Sequence, residues 1–289
     1  MNKNTYSLYR NLCINNNINI ANKNKIMTIQ LIIPLFAIIS FVILLGTKEI
    51  IAMFVFMILI IVWTISLILG NNKMKIEEEI YREKVIGEVL KQTITGAEYF
   101  VGTGFSEKEY KTMEFSCGNS YEVRENIKLP FKTGKINISN VCINDKCNDG
   151  DTDLIFDGYV FEFDIPKKIF PKIKIVYNAF NIKKYDNVVS IDNRKMNEKY
   201  NVLCEDEIYA ARMLTSENIL RIMDLYNKYR YIIDLHINGS KVYMRTRKEV
   251  GINDWISYKY KDIENKMMAL EFIVSMAEIV YNIIEEFED

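Results

Sequence analysis

Two long apolar segments stand near the beginning of the chain. Ile26 to Gly46 and Ile50 to Gly70 are each 21 residues long and carry no charged side chain. At about 1.5 Å per residue such a helix is roughly 31 Å long, which matches a bilayer hydrocarbon core of about 30 Å. Only three residues join the segments. The pattern predicts a transmembrane helical hairpin over residues 26–70.

Two other interpretations fit the pattern of these segments less well. A core helix of a soluble protein shows a polar stripe at the 3.6-residue period, whereas the strongly polar side chain here is Gln30, near one end. A cleaved signal peptide needs a shorter apolar region and a small-residue cleavage site. Pro34 predicts a bend in the first helix, which neighbouring helices in a bilayer can accommodate.

The basic residues flanking the apolar segments predict their orientation. Positively charged flanks stay on the cytoplasmic side of a membrane. The short connection between the segments has one basic residue, Lys48, whereas both outer flanks have several. These are Lys3, Arg10, Lys23, Lys25, Lys73, Lys75, Arg82 and Lys84. We therefore expect a multi-pass protein of the plasma membrane with both termini in the cytoplasm.

The remainder of the chain has the periodicities of a mixed fold. Lys73 to Gln92 reads as a helix that continues the second apolar segment, and Ser106 with Glu109 is the signature of a capping box that opens a short helix. Alternating and β-branched runs then predict a mainly antiparallel sheet of about five strands. These runs are Tyr121 to Leu129, Lys135 to Ile143, Asp153 to Ile165, Lys172 to Phe180 and Val188 to Ile191.

The last third of the chain predicts helices around a hairpin. Glu205 to Met213 and Glu217 to Arg230 have helical spacing, and Lys261 to Phe287 is a long apolar helix expected to pack on the sheet. Asn238-Gly239 suits a tight turn between two strand-like runs. The fold class is therefore α+β, in four parts: a loose tail (1–25), the transmembrane hairpin (26–70), a juxtamembrane helix (71–92) and a cytoplasmic domain (93–289).

The charge balance limits the partners of the predicted cytoplasmic domain. The chain has 37 basic and 38 acidic residues, of which five basic and one acidic precede residue 71, leaving 32 and 37 after it. A domain near −5 does not favour binding to nucleic-acid phosphates, so no nucleic-acid partner is expected. The basic run from Lys241 to Lys248, with Arg245 and Arg247, is interpreted as a solvated strand face.

For each reactive residue type, a structural role explains the pattern better than a catalytic or metal-binding role. His236 lies in a strand-like run and is interpreted as a sheet histidine whose hydrogen bonds are satisfied. The five cysteines show no CxxC spacing, so they are expected to be free thiols and the pair Cys142 and Cys147 a poor zinc site. They are Cys13, Cys117, Cys142, Cys147 and Cys204.

The acidic residues and glycines give no stronger signal. Asp145, Asp149, Asp151 and Asp153 depart from the ligand positions of a calcium loop and read as an acidic hairpin turn. Gly102 and Gly104 lack the context of a phosphate loop. The carboxylate pairs Asp157 with Glu162 and Asp224 with Asp234 have no motif that marks an acid or a base. No catalytic, cofactor-binding or metal-binding residue is predicted.

Two segments of this part of the chain resemble a known family. Asp157 to Asp164 (DGYVFEFD) runs into a proline-lysine turn, and Glu205 to Thr215 (EDEIYAARMLT) is an acidic-start helix that contains Arg212 and ends at Leu214-Thr215. Together with the apolar start, they resemble the bacterial membrane-protein family called domain of unknown function 3137, from about Ile76 onward. The resemblance implies a single domain facing the cytoplasm, and it implies no catalytic residue or cofactor.

The sequence therefore predicts a location more clearly than an activity. The leading hypothesis is a membrane-anchored cytoplasmic binding or scaffold module that is not an enzyme. Residues 26–70 would contact the lipid bilayer, and a protein or lipid partner would bind at the inner membrane surface. The alternatives are an enzyme acting on a membrane-proximal substrate through converging carboxylates and an accessory subunit of a transporter or channel complex.

Overall fold

The computed structural model describes the helical start of the chain and most of the mixed domain. The described residues are 3–16, 34, 38–39, 41, 50–116, 118–132, 134–146, 152–178, 188–191, 193–248 and 260–287. The chain divides into two compact units. One comprises Met1–Val89 with Trp255–Asp262, and the other Leu90–Asp254 with Ile263–Asp289.

Helices make up the described part of the first unit. Helix α1 (Lys3–Asn15) contacts a π-helical turn, Tyr81–Ile86. That turn continues α2 (Ile50–Ile80) and leads into α3 (Gly87–Thr93). The predicted continuation of the second apolar segment into a charged helix is therefore confirmed. Most of the first apolar segment lies outside the described residues, but Pro34, Ile38, Ile39 and Phe41 have helical backbone.

The apolar part of α2 is exposed. None of the described side chains from Phe54 to Gly70 is buried, and the largest exposures include those of Phe54 (61%) and Leu69 (63%). The rings of Phe41 and Phe56 lie 5.3 Å apart, so the helical residues of the first apolar segment reach this helix. Exposed and half-buried apolar side chains along a helix of this length are typical of a helix that contacts lipid or another protein.

A seven-stranded antiparallel sheet forms the centre of the second unit. Its strands follow the order β1-β2-β3-β4-β6-β5, with β7 pairing with β4. Their bounds are Glu98–Val101, Ser120–Phe131, Gly134–Lys146, Thr152–Tyr177, Val188–Val189, Tyr200–Cys204 and Tyr231–Lys248 for β1 to β7. The predicted α+β class with an antiparallel sheet is confirmed. The predicted count of about five strands is too low, since β1 and β6 have no distinctive alternation.

Strand β7 contains the chain reversal predicted at Asn238-Gly239. The Thr246 hydroxyl donates to the Ile232 carbonyl at 2.8 Å, and Arg245 Nε lies 2.5 Å from Asp234 Oδ2. Eleven residues of uninterrupted strand would separate Asp234 from Arg245 by roughly 36 Å, so the strand folds back on itself. Gly239 has φ +63°, a backbone angle that glycine adopts without strain. The predicted hairpin is correct.

Strand β4 bends around the tip of this hairpin. Its first part pairs with the second arm of β7 (Asp164 with Lys241), and its last part pairs with the first arm (Ile173 with Ile237). Between these two pairs the chain of β4 advances by nine residues, whereas that of β7 advances by only four. The outer strand needs the additional residues to pass around the inner turn, and Pro166 and Pro171 lie there because proline cannot donate to the ladder. The predicted break between two strands falls at this bend.

Helices cover both faces of the sheet. On one face a short helix, α4 (Glu107–Thr112), and its flanks pack Phe105, Tyr110, Met113 and Phe115 against Val160 and its neighbours. On the other face, α8 (Tyr260–Glu286) brings Tyr281 to within 5.7 Å of Phe131, which in turn lies 5.3 Å from Phe163. Val160 and Phe163 point to opposite faces because side chains alternate along a strand.

The remaining helices are short and well capped. They are α5 (Arg194–Lys199), α6 (Glu207–Met213) and α7 (Ser216–Tyr229), whose caps are Asn193, Asp206 and Thr215. The capping box predicted for α4 is present with both of its bonds, between Ser106 and Glu109. The helices predicted from Glu205, Glu217 and Lys261 are confirmed, with ends shifted by one or two residues.

One described helix is long and apolar enough to cross a membrane by length and composition, and it is Ile263–Glu286 within α8. Half of its apolar window is buried, as in the core helix of a soluble protein. A shorter apolar helical segment is Phe56–Gly70. Because Phe272, Ile273, Met276 and Ala277 are fully buried, we attribute the apolar character of α8 to packing against the sheet.

Candidate functional site

The densest group of buried polar residues in the described structure lies between α4 and the sheet. Its centre is Arg245, whose side chain is 8% exposed, together with Asp234 at 4%. The interpretation of Lys241 to Lys248 as a solvated face is wrong at Arg245, because α4 and its flanks cover that face of β7. The side chain of Lys248 lies outside the described residues.

Arg245 is bonded in several directions. Its Nε contacts Asp234 Oδ2 at 2.5 Å, and its NH1 group donates to the Ser116 hydroxyl at 2.8 Å and the Tyr110 hydroxyl at 3.3 Å. The guanidinium also lies 5.1 Å from the centre of the Phe115 ring, a cation–π distance. The other oxygen of Asp234 accepts from the Tyr177 backbone N–H at 2.8 Å. The pair therefore links the segment after α4 to β4 and β7.

His236 makes a second link between the same elements. Its Nδ1 lies 2.7 Å from the Met113 carbonyl oxygen, and its ring centre lies 4.4 Å from that of Phe115. A carbonyl only accepts, so Nδ1 carries the proton in this bond. Burial lowers the pKa of His236 to about 3, so the neutral form is present at neutral pH. The interpretation of His236 as a satisfied sheet histidine is confirmed.

Glu114, two residues beyond the end of α4, links the same segment to β4. Its carboxylate accepts from Lys172 and, at 2.5 Å, from Lys174. These two hydrogen bonds lower the pKa of Glu114 to about 2. Glu114 has φ +61°, so its own backbone turns the chain immediately after the helix. Lys174 also pairs in register with His236.

A separate ion pair lies on the opposite face, under α8. Glu125 is 1% exposed, accepts from the Tyr99 hydroxyl at 2.6 Å and forms an ion pair with Lys266 of α8. Replacing either member would leave a buried charge without its partner, which is strongly unfavourable. This pair fixes the long C-terminal helix to the edge of the sheet formed by β1 and β2.

The carboxylate pairs considered in the sequence do not converge. Asp157 bonds Arg124 at 2.8 Å, while Glu162 bonds Lys241 at 3.2 Å, and an odd separation of five residues turns them to opposite faces of β4. Asp234 is buried beside Arg245, whereas Asp224 is exposed on α7. In the described structure Asp157, Glu162 and Asp234 each form an ion pair with a base, and neither of the two carboxylate pairs meets at a cleft.

The cysteines and acidic turn show no ligand arrangement in the described residues. Cys13, Cys142 and Cys204 are free and buried, and burial raises the pKa of each thiol. Cys117 and Cys147 lie outside the described residues, as do Asp149 and Asp151. Asp145 and Asp153 are ladder partners that flank the β3–β4 turn. Among described residues, no group of three His, Cys, Asp or Glu side chains could hold a metal ion.

A pocket of about 220 Å³ lies at the start of α7. It is lined by Ile191, Ala211, Leu214, Thr215 and Ser216. The Thr215 hydroxyl already accepts the Asn218 backbone N–H at 3.3 Å, so the cap of the helix is satisfied by its own chain. The lining offers an apolar wall and two hydroxyls, and no titratable group.

The arrangement of charges is suited to holding elements together. A nucleophile or general base needs access to a substrate, whereas Arg245, Asp234 and His236 are buried and bonded to neighbouring parts of the fold. Asp234 was not predicted as the partner of Arg245. A hairpin that closes at Asn238-Gly239 brings these two positions close together, and that relation was available from the sequence.

Comparison with known proteins gives a family match for this part of the chain. The family model described as "Protein of unknown function (DUF3137)" matches residues 154–288, which include both segments on which the resemblance was based. The matched residues make up slightly less than half of the chain. The DUF3137 region runs from β4 to the end of α8 and therefore contains Asp234, His236 and Arg245. The expected resemblance is thus shown, over a shorter stretch than predicted.

Other comparisons add little to the match with the DUF3137 model. No curated protein matches the sequence. Among solved structures, the crystal structure of the mycobacterial trehalose monomycolate transport factor A, TtfA, matches with a TM-score of 0.40 and 7% identity. The match covers 68% of this chain and 94% of that one. At this level of similarity the match supports no inference about activity.

Proposed function

We propose that the chain is a membrane-anchored binding or scaffold module whose DUF3137 domain works at the cytoplasmic surface of the plasma membrane. The observation that carries the proposal is the exposed apolar surface of α2 between Phe54 and Gly70. In water that surface would be strongly unfavourable, at about 25 cal/mol for each Å². A lipid environment removes this cost.

A helical hairpin over residues 26–70 is the form of anchor that we propose. The ring contact between Phe41 and Phe56 supports it, because these residues come from the two apolar segments. The helical backbone at Pro34, Ile38 and Ile39 also supports it. The basic residues that flank both segments favour cytoplasmic termini, so the DUF3137 domain would face the cell interior.

The binding role, rather than catalysis, is supported by the way in which charged groups are used. The buried acids Asp234 and Glu125 are each paired with a base, and His236 is bonded to the backbone of the segment after α4. Groups bonded in this way hold the elements of the domain together. The partner that we propose is a protein or lipid at the inner membrane surface.

A protease-protection experiment tests the topology. Trypsin is added to intact spheroplasts and, separately, to inverted membrane vesicles that contain the full chain with a C-terminal epitope. We expect the epitope to survive in spheroplasts and to be lost in inverted vesicles. Loss of the epitope in intact spheroplasts would contradict the proposed orientation. A periplasmic and a cytoplasmic marker protein serve as controls for membrane integrity.

A further inference from the structure

One side of α2 stays apolar and exposed beyond the end of the proposed membrane span. Its residues are three or four positions apart, so they line a single side of the helix. We call this side the open face, and its exposed members are Ile61, Ile65, Leu69, Asn72, Ile76 and Ile80. The opposite side of α2 includes the half-buried Phe56, whose ring lies 5.3 Å from that of Phe41. The open face therefore points away from the first apolar segment at this contact.

Lipid can cover only part of the open face. Ile76 and Ile80 lie six and ten residues beyond Gly70, or about 9 and 15 Å along a helix. The headgroup layer extends only about 5–8 Å beyond the hydrocarbon core. The acidic run Glu77 to Glu79 lies between the two isoleucines and favours water. The open face thus continues into water, where contact with protein would remove Ile76 and Ile80 from solvent.

We propose that the open face of α2 pairs with the open face of a second copy of this chain. The inference rests on the proposed function, because copies anchored in one membrane share an orientation and their α2 helices run parallel. Parallel copies place identical residues at the same depth. Ile76 then meets Ile76 of the second copy across a two-fold axis, and Ile80 meets Ile80.

Asn72 is the polar member of the open face, and it favours a second copy as the partner. An asparagine amide both donates and accepts, so two Asn72 side chains at the same depth can bond to each other. A polar pair of this kind within an apolar seam specifies the register and number of helices in parallel coiled coils. A different protein would need its own polar group at this depth, whereas a second copy always has one.

The spacing of the open face also suits a long helix pair. Asn72, Ile76 and Ile80 repeat the positions of Ile61, Ile65 and Leu69 after 11 residues. An 11-residue repeat has 3.67 residues per turn, close to the period of a straight α-helix, so the seam stays on one side of both helices. The contact would therefore run without interruption from the lipid into the water beyond it.

Cysteine cross-linking in isolated membranes tests this inference. Two copies of the full chain with different epitope tags are coexpressed, each with L69C, and the membranes are oxidised. A disulfide needs Cβ atoms about 3.5–4.5 Å apart, so only side chains that face each other are joined. We expect a band at twice the chain mass of 33.9 kDa that carries both tags. The parent chain and L67C, a half-buried position on the opposite side, should give no such band.

Acidic variants test the part of the open face that lies outside the lipid. I76E/I80E should remove the two-tag band of L69C, because the paired copies would bring carboxylates together. T103E/S190E adds two carboxylates at exposed positions elsewhere and should leave the band unchanged.

Three results would overturn the inference while the anchor stands. They are a membrane-bound L69C chain without the two-tag band, a band that persists in I76E/I80E, and a cross-link to a different protein in place of the second copy. Absence of the chain from the membrane fraction would instead overturn the proposed function, and this inference with it.

Discussion

At the scale of single residues, the buried pair of Arg245 and Asp234 decides how the face under α4 is held. Two charges at 8% and 4% exposure are tolerated because Tyr110, Ser116 and the Tyr177 N–H satisfy their remaining hydrogen bonds. The pair fixes the segment after α4 to the β7 hairpin.

Replacing Arg245 with Leu should destabilise the fold strongly. It leaves Asp234 buried without its counter-ion, which costs about 3–5 kcal/mol. The control is R194L, since Arg194 is 92% exposed and its loss should cost at most about 0.5 kcal/mol. Thermal unfolding of the full chain in detergent measures both. A double variant, R245L/D234L, should recover much of the loss, and equal melting of R245L and R194L would contradict this role.

The burial of His236 makes the stability of the domain sensitive to acid. Its pKa is about 3 in the fold and near 6.5 when unfolded, so between these values the unfolded state binds more protons. Stability should therefore rise as the pH increases from about 3 to 6.5 and level off above that. The slope is at most about 1.4 kcal/mol per pH unit.

The variant H236Q tests this dependence because glutamine can still donate to the Met113 carbonyl but does not titrate. Its unfolding midpoint should change less between pH 4 and pH 7 than that of the parent chain. The carboxylate of Glu114, with a pKa of about 2, adds to acid sensitivity only below about pH 4.5 in both proteins. Parallel profiles for the two proteins would rule out His236 as the source.

What the sequence could predict differs from residue to residue. His236 and the capping box of Ser106 depend on local pattern, and both were predicted correctly. The burial of Arg245 was missed because a lysine- and arginine-rich strand has the composition of a solvated face, and only the packing of α4 makes it interior. Strands β1 and β6 were missed because four or five residues carry too little alternation.

At the scale of elements, β4 bends around the β7 hairpin and pairs with both of its arms at the centre of the sheet. Gly239 provides the turn of the inner hairpin, and the additional residues of β4 provide the path around it. Gly158, which precedes the bend of β4, has a different role. A Cβ atom there would lie 2.3 Å from the Thr246 carbonyl oxygen, so this glycine permits close approach of the two strands.

Alanine substitutions distinguish these two glycines. G239A meets no atom within 4 Å and should cost about 1 kcal/mol through its positive φ alone. G158A collides with backbone that cannot rotate away, so it should cost more than G239A, by about 1–3 kcal/mol. Chemical unfolding of the full chain in detergent gives both values. A G158A variant as stable as G239A would contradict the register between β4 and β7.

At the scale of the whole molecule, the proposed anchor requires lipid to cover the apolar part of α2. Ile61 and Ile76 lie on the same helix and are 53% and 57% exposed, but Ile61 lies within the apolar segment and Ile76 beyond Gly70. An arginine near the middle of a span costs about 2.5–3.5 kcal/mol of insertion free energy. I61R should therefore reduce membrane insertion in cells, and I76R should not. Equal membrane fractions of the two variants would contradict the predicted depth of Ile61.

Extraction of membranes with alkaline carbonate tests whether residues 26–70 lie within the bilayer. The membrane fraction of cells that express the full chain is washed at high pH, and the pellet is then treated with detergent. We expect the protein to stay in the pellet during the wash and to enter solution only with detergent. Release of the protein into the aqueous wash without detergent would contradict the claim that residues 26–70 lie within the bilayer.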